Sequence, residues 1–315
     1  MVLLLLTGVS QASQPGEPTE GATSAETFVL VAQIRAELEL LREEMGKPED
    51  SQQIISVQNA APREVYYQAI TLFEKANQLS FEQVRERSPS LVLPEGGIQS
   101  SHVKDVVEKT LSRLRAVKSQ LDISTVIKSI PLKAGQTPTH IYIAIEQANR
   151  QLNVLLDQRF APKDVYQQVS LAIGYTARIL VNFPTSTRIP SDEPLQHGKI
   201  PAEVLRRLVS CYSQIRSIFE HYNLDMLSLN VNKVGLALIA PSDVYDMASL
   251  LVSELAYLHT QFPEAIPPRA VYDPGRKFPS HVYQRVGILE KQLGVIATSL
   301  EPSKNALSSL ALQKK

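Results

Sequence analysis

One short string recurs seven times along this chain and limits what the chain can fold into. It is Pro-x-(Asp/Glu/His)-Val, usually followed by Tyr. It reads Pro62-Arg-Glu-Val-Tyr66, Pro138-Thr-His-Ile-Tyr142, Pro162-Lys-Asp-Val-Tyr166, Pro201-Ala-Glu-Val-Leu205, Pro241-Ser-Asp-Val-Tyr245 and Pro279-Ser-His-Val-Tyr283, with a degraded copy in Ser100-Ser-His-Val-Lys104. Successive copies begin 38, 38, 24, 39, 40 and 38 residues apart. A near-constant period of this length is the mark of one structural unit used repeatedly.

The string reads as a helix start. Proline suits the first helical position, because its fixed φ matches the turn and its missing N–H would have had no partner. An acidic residue two places on lies in the first turn, near free amides and the positive end of the helix dipole. Thr137 is a good cap ahead of Pro138, whereas Ala61, Ala161 and Ala240 are poor ones. Seven and fourteen residues after each motif Val the chain is apolar again, as in Val65/Leu72/Leu79, Val204/Cys211/Ile218 and Val282/Leu289/Ile296. Each copy therefore predicts an amphipathic helix of five to six turns. No copy can bury its broad apolar face alone, so the copies must pack on one another.

The spacing of 24 between Pro138 and Pro162 leaves a short connection and predicts an antiparallel hairpin of those two helices. The other connections are Pro- and Gly-rich and run to ~15–18 residues, long enough to return along a helix of ~30 Å. Period and helicity are on the scale of tetratricopeptide arrays. The likeness stops there, because the Trp-x-x-Leu-Gly pattern is missing and the prolines fall at helix starts.

Ahead of the repeats the chain is divided by composition. Val2–Leu6 is an apolar run followed by small residues. It has the shape of a signal peptide spanning 1–12, though short and without a preceding Lys or Arg. The expectation is export, with a cytosolic protein bearing a greasy N-terminus as the alternative. Residues 13–24 read as a flexible linker. From 25 to 46, Val31, Ile34, Leu38, Leu41 and Met45 step by three and four, a coiled-coil seam, with Arg35, Glu37, Glu39, Arg42, Glu43 and Glu44 placed outward. That helix either pairs with copies of itself as an oligomerisation stalk or docks on its own domain. Residues 47–57 read as a hinge, 58–300 as the repeat domain and 301–315 as a tail.

Equal numbers of basic and acidic residues, 32 each, argue against a global attraction to nucleic acid or to anionic membranes. The single Cys211 excludes an internal disulfide framework and a multi-cysteine zinc site. No apolar run reaches the ~20 residues of a membrane span. Catalytic strings are missing, so no catalytic, cofactor-binding or metal-ligating residue is assigned. Cys211 sits mid-stripe, where other copies carry Leu or Ala, and reads as a buried inert thiol. His102, His140 and His281 share one repeat position, which implies a shared structural role and a neutral ring.

The repeated tyrosines Tyr66, Tyr142, Tyr166, Tyr245 and Tyr283 read first as rings packed between helices with anchored hydroxyls. The functional alternative is a row of rings lining a groove for a peptide, glycan or small molecule, with Asn149, His259 and Glu290 as its polar residues. Together these features predict an all-α array or bundle of seven repeated helices behind a coiled-coil-like helix. The expected activity is that of a non-enzymatic binding or scaffolding protein in the bacterial envelope, working through protein contacts. A helical sensor that holds a small molecule near the tyrosines is the alternative.

Overall fold

The structure is a computed structural model that describes residues 20–49, 56–89, 97–157, 161–184, 187–230, 241–262, 266–269 and 273–312, with single positions 91, 94 and 239. The expected signal peptide, linker residues 13–19 and most of the expected hinge lie outside the described residues. The chain is all-α. Its helices are α1 (Glu20–Glu44), α2 (Pro62–Val84), α3 (Ser100–Gln120), α4 (Pro138–Leu155), α5 (Pro162–Ile179), α6 (Pro201–His221), α7 (Pro241–Thr260) and α8 (Pro279–Leu312). Two three-residue strands, β1 (Ser56–Gln58) and β2 (Ser228–Asn230), pair antiparallel with Val57 opposite Leu229.

All seven motif copies begin helices, and every residue of the valine stripes is buried, including Thr110 and Val117 in the degraded copy. The variable motif slot does the same job in six of the seven copies. Its side chain reaches back to the backbone N–H that precedes the helix, as half of a capping box. Ala61 N–H donates to Glu64 Oε2 (2.8 Å), Ala161 N–H to Asp164 Oδ2 (2.9 Å) and Ile200 N–H to Glu203 Oε2 (3.1 Å). Gln99, Thr137 and Phe278 N–H donate to Nδ1 of His102, His140 and His281 at 3.1–3.2 Å. Histidine can replace a carboxylate here because the slot needs only an acceptor at that reach. An accepting Nδ1 places the ring proton on Nε2. Thr137, expected as a side-chain cap, gives its hydroxyl to the His140 ring instead.

The helices form two four-helix bundles. Around the first ring the order is α1, α3, α2, α4, and around the second it is α5, α7, α6, α8. Within each bundle all four helices run the same way. Glu26 pairs with Lys104 near the starts of α1 and α3, and Glu37 with Lys118 toward their ends. Lys47 meets Asp157 just past the ends of α1 and α4. In the second bundle the first prolines and motif valines of α5, α6, α7 and α8 converge on one apolar dimple.

Parallel helices require each connection to travel back the full length of the bundle, and the long linkers do this as straps. Between α5 and α6, Arg188 O accepts from Gln292 Nε2 (2.6 Å), Ser191 O from Lys291 and Glu193 O from Gln284, and Lys199 N–H donates to Ser280 Oγ (3.2 Å). The strap thus descends α8 from its middle to its start. The connection before α8 descends α5 likewise, with Pro268 beside Gly174 and Lys277 over the Tyr166 ring. A Cβ on Gly174 would lie 3.0 Å from Pro268 Cβ, so a larger residue there requires the strap to shift by a few tenths of an ångström. Gly174→Val is expected to destabilise the protein by about 1–3 kcal/mol through overpacking, despite its better helix propensity, measured by urea unfolding.

Four expectations are corrected. First, Glu37, expected outward, is buried beside Lys118; of the two alternatives for the coiled-coil-like helix, docking on its own domain is the one observed, with Val31, Ile34, Leu38 and Leu41 fully buried against α3 and α4. Seven repeat helices leave one bundle a helix short, and α1 fills that place. Its seam of Val31, Ile34, Leu38 and Leu41 is consumed within the chain and is not free to pair with a second copy. Second, α1 already begins at Glu20, inside the stretch expected as linker, and Thr23 and Ser24 are buried. Third, α4 and α5 are not a packed hairpin. The short connection does reverse the chain, but α4 packs on α1 and α2, and α5 on α7 and α8. Fourth, α8 runs through Pro302 to Leu312, where a tail was expected. Pro302 lies in the interior of α8, where it forgoes one backbone hydrogen bond, and Ala306, Leu307, Leu310 and Ala311 favour helix after it.

Candidate functional site

The tyrosine row is not one groove. Tyr66 is buried edge-on against Tyr67. The hydroxyl of Tyr142 accepts from Gln68 Nε2 (3.2 Å), and that of Tyr245 from Gln168 Nε2 (3.1 Å), so each plugs the seam between two helices of its own bundle. Burial pushes Tyr142 far above the usual phenol range and Tyr245 up to about 12. Tyr166 lies under Lys277 and Arg285, and Tyr283 lies between Lys199 (4.4 Å) and Arg207 (4.5 Å). Asn149 is buried and donates to Gln68 O, His259 stands edge-on to Tyr175, and Glu290 pairs with Arg207 Nε at 2.8 Å. Cys211 is wholly buried and its thiol is pushed up by desolvation, far from a reactive thiolate.

The structure instead brings together a set of charged residues that sequence reasoning left out. The two bundles meet antiparallel along α2 and α7. Arg63, at the start of α2, reaches Glu254 in the second half of α7, while Lys75, late in α2, sits over the ring of Tyr245 early in α7. The strand pair β1–β2 clasps the bundles beside this seam.

Two clusters of buried charge lie in the seam. In the first, Arg150 Nη2 of α4 is 2.7 Å from Asp243 Oδ1, 3.7 Å from Asp246 Oδ2 and 3.8 Å from Glu146 Oε1. Glu146 and Asp246 lie next to each other, and Lys75 contributes the second cation. Burial, with Asp246 next to it, holds the Glu146 carboxyl well above its ordinary range. Burial likewise lifts Asp246 to about 6 and lowers Lys75 to about 8. In the second cluster Arg63 Nη2 is 2.8 Å from Glu64 Oε1 and 3.3 Å from Glu254 Oε2, stacks 4.2 Å from the Tyr257 ring centre, and donates to Asp225 O. Glu254 lies beside Glu64 and is held well above the carboxylate range, first by burial and then by its acidic neighbour.

Each cluster is reached by a groove on the surface. The first groove, of about 400 Å3, runs between the second half of α2 and the start of α5, with Lys75 and Tyr245 at its floor and Gln78 and Gln167 on facing walls. Its charges are matched in sign, Glu74 with Arg87 and Lys75 with Asp246. The second, of about 690 Å3, is lined by Arg63, Tyr67, Ile98 and Tyr257. Among the described residues no group of three or more His, Cys, Asp and Glu side chains is placed to hold a metal ion, and no helix is long and apolar enough to cross a membrane.

At the far side of the second bundle lies its apolar end. Ile200 and Phe278, the residues just before α6 and α8, are 53% and 49% exposed, and they flank the dimple made by four prolines and four valines. Comparison with protein-family models, with curated proteins and with solved structures finds no match.

Proposed function

We propose that this chain is a non-enzymatic binding or scaffolding protein and that the N-terminal end of its second bundle is the face that meets a protein partner. The observation that supports this reading is the exposed apolar ring of Ile200, Phe278 and the converging prolines. Contiguous apolar surface of this kind marks interaction sites on soluble domains. Four parallel helix starts also add their positive dipole ends at this one place, each equivalent to roughly half a charge. A complementary partner carries an apolar anchor flanked by acidic residues. The sealed thiol of Cys211 and the structural use of His102, His140 and His281 agree with a role that needs no nucleophile or base.

The test places a photo-crosslinker at position 200 or 278 in the native host. A discrete protein adduct is expected at both positions, and Ile200→Glu with Phe278→Glu is expected to weaken that complex at least tenfold without lowering the melting temperature. An adduct formed equally well by the double variant would refute this face. The groove of about 400 Å3 between α2 and α5 favours one second reading, a small polar ligand held beside Tyr245. In a thermal-shift screen such a ligand raises the melting temperature in a concentration-dependent way, whereas the protein-contact reading expects no small-molecule hit.

A further inference from the structure

We propose that residues 124–132, in the strap between α3 and α4, form a second protein-docking site, and that its occupant is an acidic strand edge of a partner protein. The site goes beyond the apolar end of the second bundle, because it belongs to the first.

The strap crosses the length of its bundle in extended form. The chain leaves α3 at Gln120, closes a turn with Ile123 N–H on Lys118 O (3.2 Å), and re-enters helix at Pro138. Residues 124–132 at ~3.3 Å apiece span ~30 Å, the length of a helix of about 20 residues. Other straps are fastened to their bundle. The one between α5 and α6 is tied to α8 through Gln292, Lys291, Gln284 and Ser280, and the one before α8 lies against Gly174 and Tyr166. Residues 124–132 make no hydrogen bond to any described residue, by backbone or by side chain.

The exposed side chains of this stretch are apolar and basic. Val126 is 85% and Leu132 62% exposed, and Lys128, Pro131 and Lys133 are exposed with them. Between Asp122 and Glu146 the chain carries no acidic residue, and neither lysine has a carboxylate partner among the described residues.

These observations define the partner. Open N–H and C=O groups along an extended chain are matched by another extended chain, as in strand addition to a sheet edge. Thr125, Val126, Ile127 and Ile130 are β-branched and suit such a strand. Pro131 has no N–H to give, so the paired stretch is 124–130. Lys128 and Lys133 set the sign of the partner's edge, since opposite charges across a strand pair stabilise it and like charges oppose it. A second copy of this chain does not meet that condition, because two paired straps bring four lysines together without an acid. Lysine and proline are also the residues that keep an exposed edge from indiscriminate pairing. With both faces occupied, one chain holds two partners at once.

The test combines hydrogen exchange of the purified full chain with a photo-crosslinker at position 126 in the native host. Amides 124–130 are expected to exchange at the rate of an unfolded peptide. The crosslinker is expected to give a discrete protein adduct, attached within a β-strand of the partner. Consecutive N–H groups point to opposite edges of an extended chain, so Ser124→Pro and Ser129→Pro probe one edge each. One of the two is expected to cut the adduct at least tenfold. Lys128→Glu with Lys133→Glu is expected to cut it at least threefold. The melting temperature is expected to stay at the parent value in all of these variants. Ile200→Glu with Phe278→Glu is expected to leave this adduct unchanged, which separates failure here from failure at the bundle end. Slow exchange of amides 124–130 in the purified protein overturns the proposal. So does the lack of an adduct, an adduct to lipid or to a second copy, or one undiminished by the proline and charge variants.

Discussion

Arg150→Met is expected to lower the unfolding free energy by about 3–5 kcal/mol at pH 7, the range for breaking a buried ion pair by removing one partner. Arg150 is 4% exposed and within 2.7–3.8 Å of three carboxyl groups. Methionine fills much of the same space, so the loss reports charge and not a cavity. Without the guanidinium, Asp243 and Asp246 keep Lys75 as their remaining cation, and the cluster carries excess negative charge out of reach of water. The deficit should shrink on acidification, because Asp246, already lifted to about 6, and Glu146 take up protons in the fold before they do in the unfolded chain. Urea unfolding at pH 7 and pH 5 reads both effects. A loss under 1 kcal/mol at pH 7 would mean that the seam is solvated.

The second cluster connects the seam to the motif itself. Glu64 occupies the variable motif slot and caps Ala61 N–H, yet the same carboxyl faces Glu254 and Arg63. A residue chosen by the helix start is thus reused at the contact between bundles. The corresponding slot of α7, Asp243, accepts from Arg150. The motif positions that look most repetitive are therefore the ones from which the inter-bundle chemistry is drawn.

Helix number, helix starts and the buried valine stripes were legible in the sequence because all of them are local or periodic. Direction was not, since a stripe of Val, Leu and Ile is buried equally well in a parallel and an antiparallel bundle. The signal that bore on it was linker length. Connections of ~15–18 residues can cross the length of a five-turn helix, and only parallel neighbours need them to. The heptad pattern of α1 was ambiguous for a similar reason: a seam of Val31, Ile34, Leu38 and Leu41 looks the same whether a copy or its own domain covers it. The charged seam was hidden because Glu146 and Arg150 have the i, i+4 spacing of an ordinary exposed pair. Asp243 and Asp246, two acids on one face of a helix three residues apart, were the available hint. Like charges at that spacing are unfavourable unless a cation from elsewhere lies between them.

Phe219→Ala is expected to be equally damaging, at about 3–5 kcal/mol, but to act on one bundle alone. Phe219 is fully buried near the end of α6, with its ring 6.0 Å from that of Tyr257 on α7. Its truncation leaves a void within the ring of α5, α7, α6 and α8, none of whose packing includes α1 or α3. The buried apolar residues of the two bundles are continuous, but the rings are joined chiefly by α2 against α7, a smaller contact than those within each ring. Melting of the second bundle should therefore not force the first to melt. Calorimetry of Phe219→Ala is expected to split into two transitions, with the lower one moved and the upper one near the parent value. Hydrogen exchange at the lower transition should expose α5, α6 and α7 while α1 and α3 stay protected. A single transition, shifted as a whole, would show instead that the buried charges couple the bundles into one cooperative unit.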